Sequence, residues 1–214
     1  MKAGGRFIVL EGLDGAGTTT QCNALAQALR TAGREAHVTC EPTSGPIGTM
    51  IRQALGGRLG LPHAGGPLTP HTLALLFAAD RVDHLAAEVE PALARGAVVL
   101  CDRYVLSSLA YQGSQVGMSW VDQINSQATK PDLTLFLSID LAVAAARRKA
   151  RGLAQELYET DEAQQRTAAQ YREAISLREK AGERIVTIDG GLSMAEVTAR
   201  ALKEIEALEP ARSR

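Results

Sequence analysis

Cross-linking chemistry is scarce in this sequence. Its three cysteines, Cys22, Cys40 and Cys101, are odd in number and lack C-x-x-C spacing. That argues against a disulfide framework or zinc site and for reduced, mostly buried thiols. No apolar run approaches the roughly 18 residues of a membrane-spanning helix, and Met1 to Arg6 carry no long apolar stretch of the signal-peptide kind. The expectation is a cytoplasmic protein with no membrane partner. Charge is not in excess either: the net value is −1, so a general nucleic-acid binder, which needs a basic excess or a clustered basic face, is not expected. Repeats and low-complexity segments are also missing.

What is present suits one α/β domain over residues 1–214, because 45% hydrophobic content supplies a large core. Apolar strands near 7–10, 35–40, 97–101, 133–139 and 184–188 alternate with helical segments, which predicts a five-stranded parallel sheet with right-handed crossovers and helices on both faces. Thr69 and Pro70 open a long helix predicted to reach about Arg95, Ser193 and Glu196 form a capping box, and residues 105–129 read as helical with a break near Gly113 to Gly117. Residues 56–67, with five glycines and two prolines, read as a mobile surface loop whose His63 is a solvated residue.

The most informative stretch runs from Phe7 to Gln21: an apolar strand, a loop holding Gly12, Gly15, Ala16 and Gly17, and a helix opening with Thr18, Thr19 and Thr20. Free N–H groups and the positive end of a helix dipole converge there, which is the physics of a Walker A phosphate loop. The pattern G-x-x-x-x-G-K-[ST] is met except at the lysine, which is Thr18. A hydroxyl can hydrogen-bond a phosphate but cannot neutralise it, so charge must come from elsewhere.

Further along, Phe77 and Arg81 are four apart on one helix face. Taken alone they read as a core aromatic and a cation that caps the helix or pairs with Asp80 or Glu88. Asp102-Arg103-Tyr104 follows an apolar strand, and ligands of open α/β sheets bind at such carboxyl ends. Arg147, Arg148, Lys149 and Arg151 form the densest basic cluster. They read either as a solvated helix end suited to the dipole or as a phosphate-binding set.

Together, Gly12 to Thr20, the run Leu-Leu-Phe-Ala-Ala-Asp-Arg ending at Arg81, Asp-Arg-Tyr-x-x-Ser-Ser-x-Ala-Tyr-Gln-Gly from Asp102, and Lys130-Pro131-Asp132 before a strand resemble the thymidylate kinase family over almost the whole chain. The resemblance implies a P-loop sheet with a lid near 147–160, transfer of a phosphoryl group from ATP with Mg²⁺ to dTMP, and a homodimer. It implies that Phe77 stacks on the base, Arg81 reads it and approaches the acceptor phosphate, and Arg103 binds that phosphate. Asp102 would help hold the metal or orient Arg103, Thr19 would lie on the metal side, and Asp14 beside the acceptor. Tyr111 would exclude a ribose 2′-hydroxyl, with Ser108 and Gln112 near the base. Two positions depart from the family: Cys40 stands where many bacterial members have arginine, and Thr18 replaces the loop lysine. Arg148 and Arg151, with Arg147 and Lys149, are then the cations left to reach the donor phosphates. The alternatives are a nucleoside monophosphate kinase of other base preference, or a weakly active nucleotide-binding paralogue.

Overall fold

Five parallel strands build the sheet, and the apolar runs of the central three are buried on both faces. The computed structural model describes residues 4–61, 65–151 and 161–208, without the side chains of residues 151 and 161. Strands β1 (Arg6–Gly12), β2 (Ala36–Cys40), β3 (Val98–Asp102), β4 (Leu133–Ser138) and β5 (Ile185–Asp189) lie in the order β2-β3-β1-β4-β5. Every pairing is parallel. The helices are α1 (Thr18–Thr31), α2 (Pro46–Leu55), α3 (Pro70–His84), α4 (Glu90–Ala94), α5 (Val105–Tyr111), α6 (Gly113–Val116), α7 (Met118–Ile124), α8 (Leu141–Arg151), α9 (Asp161–Lys180) and α10 (Met194–Glu206).

The period of two along β1 divides the core. Phe7 and Val9 point into one cluster with Tyr104, Leu109 and Tyr171, carried by the α5 and α9 side. Ile8 and Leu10 point into the other with Leu25, Leu29, Val197 and Ile205, carried by α1 and α10. Each of the four β1 residues is at most 1% exposed, so truncating one to alanine would cost about 2–5 kcal/mol. The central strand is thereby fixed in register, and its carboxyl end holds the loop that follows.

Local signals hold at the helix ends. The Thr69 hydroxyl accepts the Thr72 N–H at 3.2 Å, and Ser193 and Glu196 complete the reciprocal box. The long helix predicted through Arg95 is interrupted, because Leu85–Val89 forms a π-helical turn between α3 and α4. Its cause is Pro91, which has no N–H to return to Ala87 and whose ring crowds that carbonyl. The ladder lengthens by one residue instead, and the Glu90 N–H reaches Leu85 five positions back. In the next segment the chain stays helical through Gly113 and turns at Gly117, whose φ is +93°. Part of the 56–67 loop is pinned by a bridge between Gly60 and Pro67, and His63 lies outside the described residues. Among the described residues no helix is long and apolar enough to cross a membrane.

Candidate active site

The loop between β1 and α1 is shaped by glycine where nothing else fits. Gly15 has φ +98°, and a Cβ there would sit 2.6 Å from the Ala144 carbonyl oxygen of α8. The left-handed Gly17, φ +94°, precedes α1, whose first turn has no side-chain cap. The N–H groups of that turn are therefore open to an external anion. Thr19, on the first turn, donates its hydroxyl to Asp102 Oδ2. Asp102 Oδ1 is buried without a partner among the described residues. A threonine oxygen beside a carboxylate with a spare oxygen suits a hard, oxygen-seeking cation.

Beside the loop, at the carboxyl ends of β1, β2 and β3, lies a cavity of about 500 Å³. Register places it there: Asp102 is opposite Leu10 on one side and Cys40 on the other. Phe77, Arg81, Ser108 and Gln112 line it, as do Asp14, Arg103, Tyr111 and Arg52. Arg103 is the only non-glycine residue with positive φ, +70°, among the described residues, a conformation that surrounding contacts must enforce. Its amide donates to the Leu10 carbonyl at 2.9 Å, and the next amide, of Tyr104, donates to Glu11 Oε1 at 2.8 Å. The Arg103 guanidinium meets Asp14 Oδ1 at 2.5 Å and the Ser107 hydroxyl at 3.1 Å. It also lies over the Tyr111 ring, 5.4 Å from the centroid.

Asp14 is held from three directions. Besides Arg103, it accepts from the Tyr111 hydroxyl at 3.1 Å and from Gln164 Nε2 of α9 at 2.8 Å. Glu11, the last charged group of β1, is fully buried and caps α5 from a distance. It accepts the Tyr104 and Ser107 amides, the Ser107 hydroxyl and the Tyr171 hydroxyl. Burial pushes its carboxyl above the ordinary carboxylate range despite those donors and the nearby Arg103 charge. Burial likewise raises the Tyr111 phenol, which stays protonated and able to donate.

Arg81 is 1% exposed. It neither caps its helix nor pairs with Asp80 or Glu88. Its Nη2 donates to Glu41 Oε2 at 2.6 Å and to Ser108 Oγ at 3.2 Å, while Nη1 donates to Asn125 Oδ1. Asp80 instead accepts from the Thr43 amide at 2.8 Å and from its hydroxyl at 2.6 Å.

A second, smaller cavity of about 220 Å³ lies on the other side of the loop, lined by Ala16, Gly17, Thr20, Gln21, Arg147, Gly190 and Met194, among others. Arg147 donates to the Gly190 carbonyl at 3.1 Å and the Gly15 carbonyl at 3.4 Å, and Arg148 to the Asp14 carbonyl at 3.0 Å. Two of the four basic residues thus dock on the loop. The Arg151 side chain, and the expected lid beyond it, lie outside the described residues.

The structure therefore brings Asp14, Thr19, Asp102, Arg103, Phe77, Arg81, Ser108, Tyr111 and Gln112 around one cavity. Asp102 is tied to Thr19, and the carboxylate that holds Arg103 is Asp14. Sequence reasoning gave no role to Arg52, Glu41, Glu11, Asn125, Gln164 or Tyr171. A charge ending an apolar strand could have marked Glu11. Nothing local marks Gln164 or Tyr171, which arrive from about 150 residues away.

A glycine loop between the central strand and the next helix, with a threonine–aspartate pair at the carboxyl end of a parallel sheet, defines a P-loop NTPase-type protein. A sequence-family model described as thymidylate kinase matches residues 10–201, and the chain belongs to that family. It is 47% identical over 149 residues to a thymidylate kinase from Thermomicrobium roseum, covering 67% of this chain and 68% of the relative. It is 36% identical over 211 residues to a thymidylate kinase from Trichormus variabilis, covering 94% and 95%.

Proposed function

We propose that this enzyme transfers the terminal phosphoryl group of ATP to dTMP, giving dTDP and ADP. The observation that carries the choice of acceptor is a pair of buried polar atoms in side chains lining the larger cavity. Arg81 Nε, a donor, and Gln112 Oε1, an acceptor, have no partner among the described residues. Thymine offers the complement, a C4 carbonyl and an N3–H. Cytosine offers the reverse, an amino group and a bare N3, and would leave both protein atoms unsatisfied at about 1–3 kcal/mol each. Phe77 then stacks on the base. The Tyr111 hydroxyl, spent on Asp14, closes the space that a ribose 2′-hydroxyl would need.

Arg103, joined by Arg52 from α2, holds the acceptor phosphate. One of that phosphate's oxygens attacks the γ-phosphorus as the bond to the bridging oxygen of ADP breaks. Such a reaction asks mainly for position and charge. A magnesium ion held by Thr19 and Asp102 would neutralise charge on the transferring group when bound. In place of the absent loop lysine, the helix start supplies its amides and Arg148 supplies the cation.

The proposal includes a cytosolic homodimer. Cys22, Cys40 and Cys101 are all unpaired. On α3, Leu75, Ala79 and Val82 form an exposed apolar stripe beside Met50 of α2, with Leu75 and Val82 51% and 53% exposed. A second copy would bury it, which size-exclusion chromatography with light scattering checks. A coupled assay with ATP, Mg²⁺ and, separately, dTMP, dUMP, UMP, dCMP and dGMP tests the activity. Turnover is expected to be highest with dTMP. Absence of turnover with every acceptor would reject the reading.

A further inference from the structure

Behind Arg81 a polar chain joins helix to sheet edge. His37, Thr39 and Glu41 alternate along and just beyond the edge strand β2, while Arg81, His84 and Glu88 share one face of α3 and its π-helical continuation. The two rows interlock. Glu41 Oε1 meets His84 Nδ1 at 3.0 Å, His84 Nε2 meets Thr39 Oγ1 at 2.7 Å, and Glu88 Oε1 meets His37 Nε2 at 2.7 Å near the surface. The Arg81, His84 and Glu41 side chains are at most 2% exposed.

The pairing of Arg81 with Glu41 is incomplete in an informative way. An arginine and a carboxylate favour the two-bond fork, which on this side of the guanidinium uses Nε and Nη2. Only Nη2 is engaged, through Glu41 Oε2, and Nε is left buried and unpartnered. Glu41 Oε1, the oxygen that would close the fork, is held by His84. A carboxylate only accepts, so His84 Nδ1 carries the hydrogen.

We infer that His84 is a positioning residue for acceptor recognition: by occupying Glu41 Oε1, and being held itself by Thr39, it keeps Arg81 Nε available to the base. This rests on Arg81 reading the base, as proposed above. Without the imidazole, Glu41 turns to close the fork and takes the donor that the C4 carbonyl needs.

The test is steady-state kinetics of His84→Leu, His84→Asn and Thr39→Val with dTMP and with its analogue lacking the 4-oxygen, alongside thermal melting. Wild type should favour dTMP over the analogue by at least tenfold. In His84→Leu the KM for dTMP should rise about tenfold with kcat within twofold, and the preference for the 4-oxygen should collapse. His84→Asn, which keeps an N–H near Nδ1, should restore KM to within threefold. Thr39→Val should raise KM about threefold, and it carries the test if His84→Leu does not fold. Unchanged KM and preference in the folded variants would overturn the inference, as would equal losses in His84→Leu and His84→Asn. A wild type inactive on dTMP would instead refute the underlying function.

Discussion

The two sides of the phosphate loop are built differently. On the acceptor side, side chains tie to side chains: Arg103 to Asp14, Tyr111 and Gln164 to Asp14, and Arg81 to Glu41, Ser108 and Asn125. On the donor side arginines reach the backbone, Arg147 donating to the Gly15 and Gly190 carbonyls and Arg148 to the Asp14 carbonyl. A side-chain site specifies its ligand's edges and tolerates little change. A site of loop amides and a helix dipole specifies charge, and can move a cation from one element to another. On the proposed function, this is what lets the loop work with threonine where lysine is expected.

Substitutions can break this contrast. The largest effect is expected for Arg103→Ala, because one guanidinium holds Asp14 and, in the proposed function, the acceptor phosphate. Its kcat/KM should fall by about a thousandfold, the upper range for losing one preorganised charge, and Arg103→Lys should recover little of it because an ammonium lacks the planar fork. Initial rates over a dTMP series measure this, and a loss below tenfold would contradict the role.

Next comes the donor side. Arg148→Ala should lower kcat by about thirtyfold to a hundredfold while leaving the KM for dTMP unmoved. Thr18→Lys alone should change kcat by less than about threefold, yet it should rescue much of the Arg148→Ala loss if charge, rather than its address, is what the loop requires. A large gain from Thr18→Lys in the wild-type background would show a donor site that never recovered its missing cation.

Tyr111→Phe sharpens the acceptor side. Removing the hydroxyl frees one contact of Asp14, so discrimination between deoxyribose and ribose acceptors should fall by about tenfold, worth roughly 1.4 kcal/mol, with dTMP turnover itself less affected. Competition between dTMP and its ribose counterpart reads this ratio.

The smallest effect concerns stability. The folded-state pKa of Glu11 is raised from 4.5 by burial, so between 4.5 and that higher value the folded chain binds a proton that the unfolded chain has released. Its contribution is fully present below the unfolded value and is lost as pH rises through the folded one. Denaturant unfolding of wild type and Glu11→Gln from pH 4.5 upward should show the wild-type advantage narrowing as pH rises.

The contrast also explains what could be read from the chain. Strands buried on both faces announce themselves as apolar runs, and the glycine loop by its spacing, so the sheet and the phosphate cradle were legible. Arg103 was legible as a candidate because it stands just beyond a strand, and Phe77, Arg81 and Tyr111 through the family resemblance of the short runs that carry them. Their partners were not. Glu41 and Asn125 reach Arg81 from 40 and 44 residues away, and Gln164 reaches Asp14 from 150, contacts set by tertiary packing and invisible to local pattern. The π-helical turn before Pro91 escaped notice because helical periodicity looks the same on both sides of a one-residue slip.

The central claim is that buried side-chain atoms choose the acceptor base, and calorimetric titration without ATP tests it most directly. dTMP is expected to bind at least about thirtyfold more tightly than dCMP, the sum of two buried mismatches at the low end of their cost. Equal affinities would contradict the claim, because Arg81 Nε and Gln112 Oε1 would then have no part in recognition.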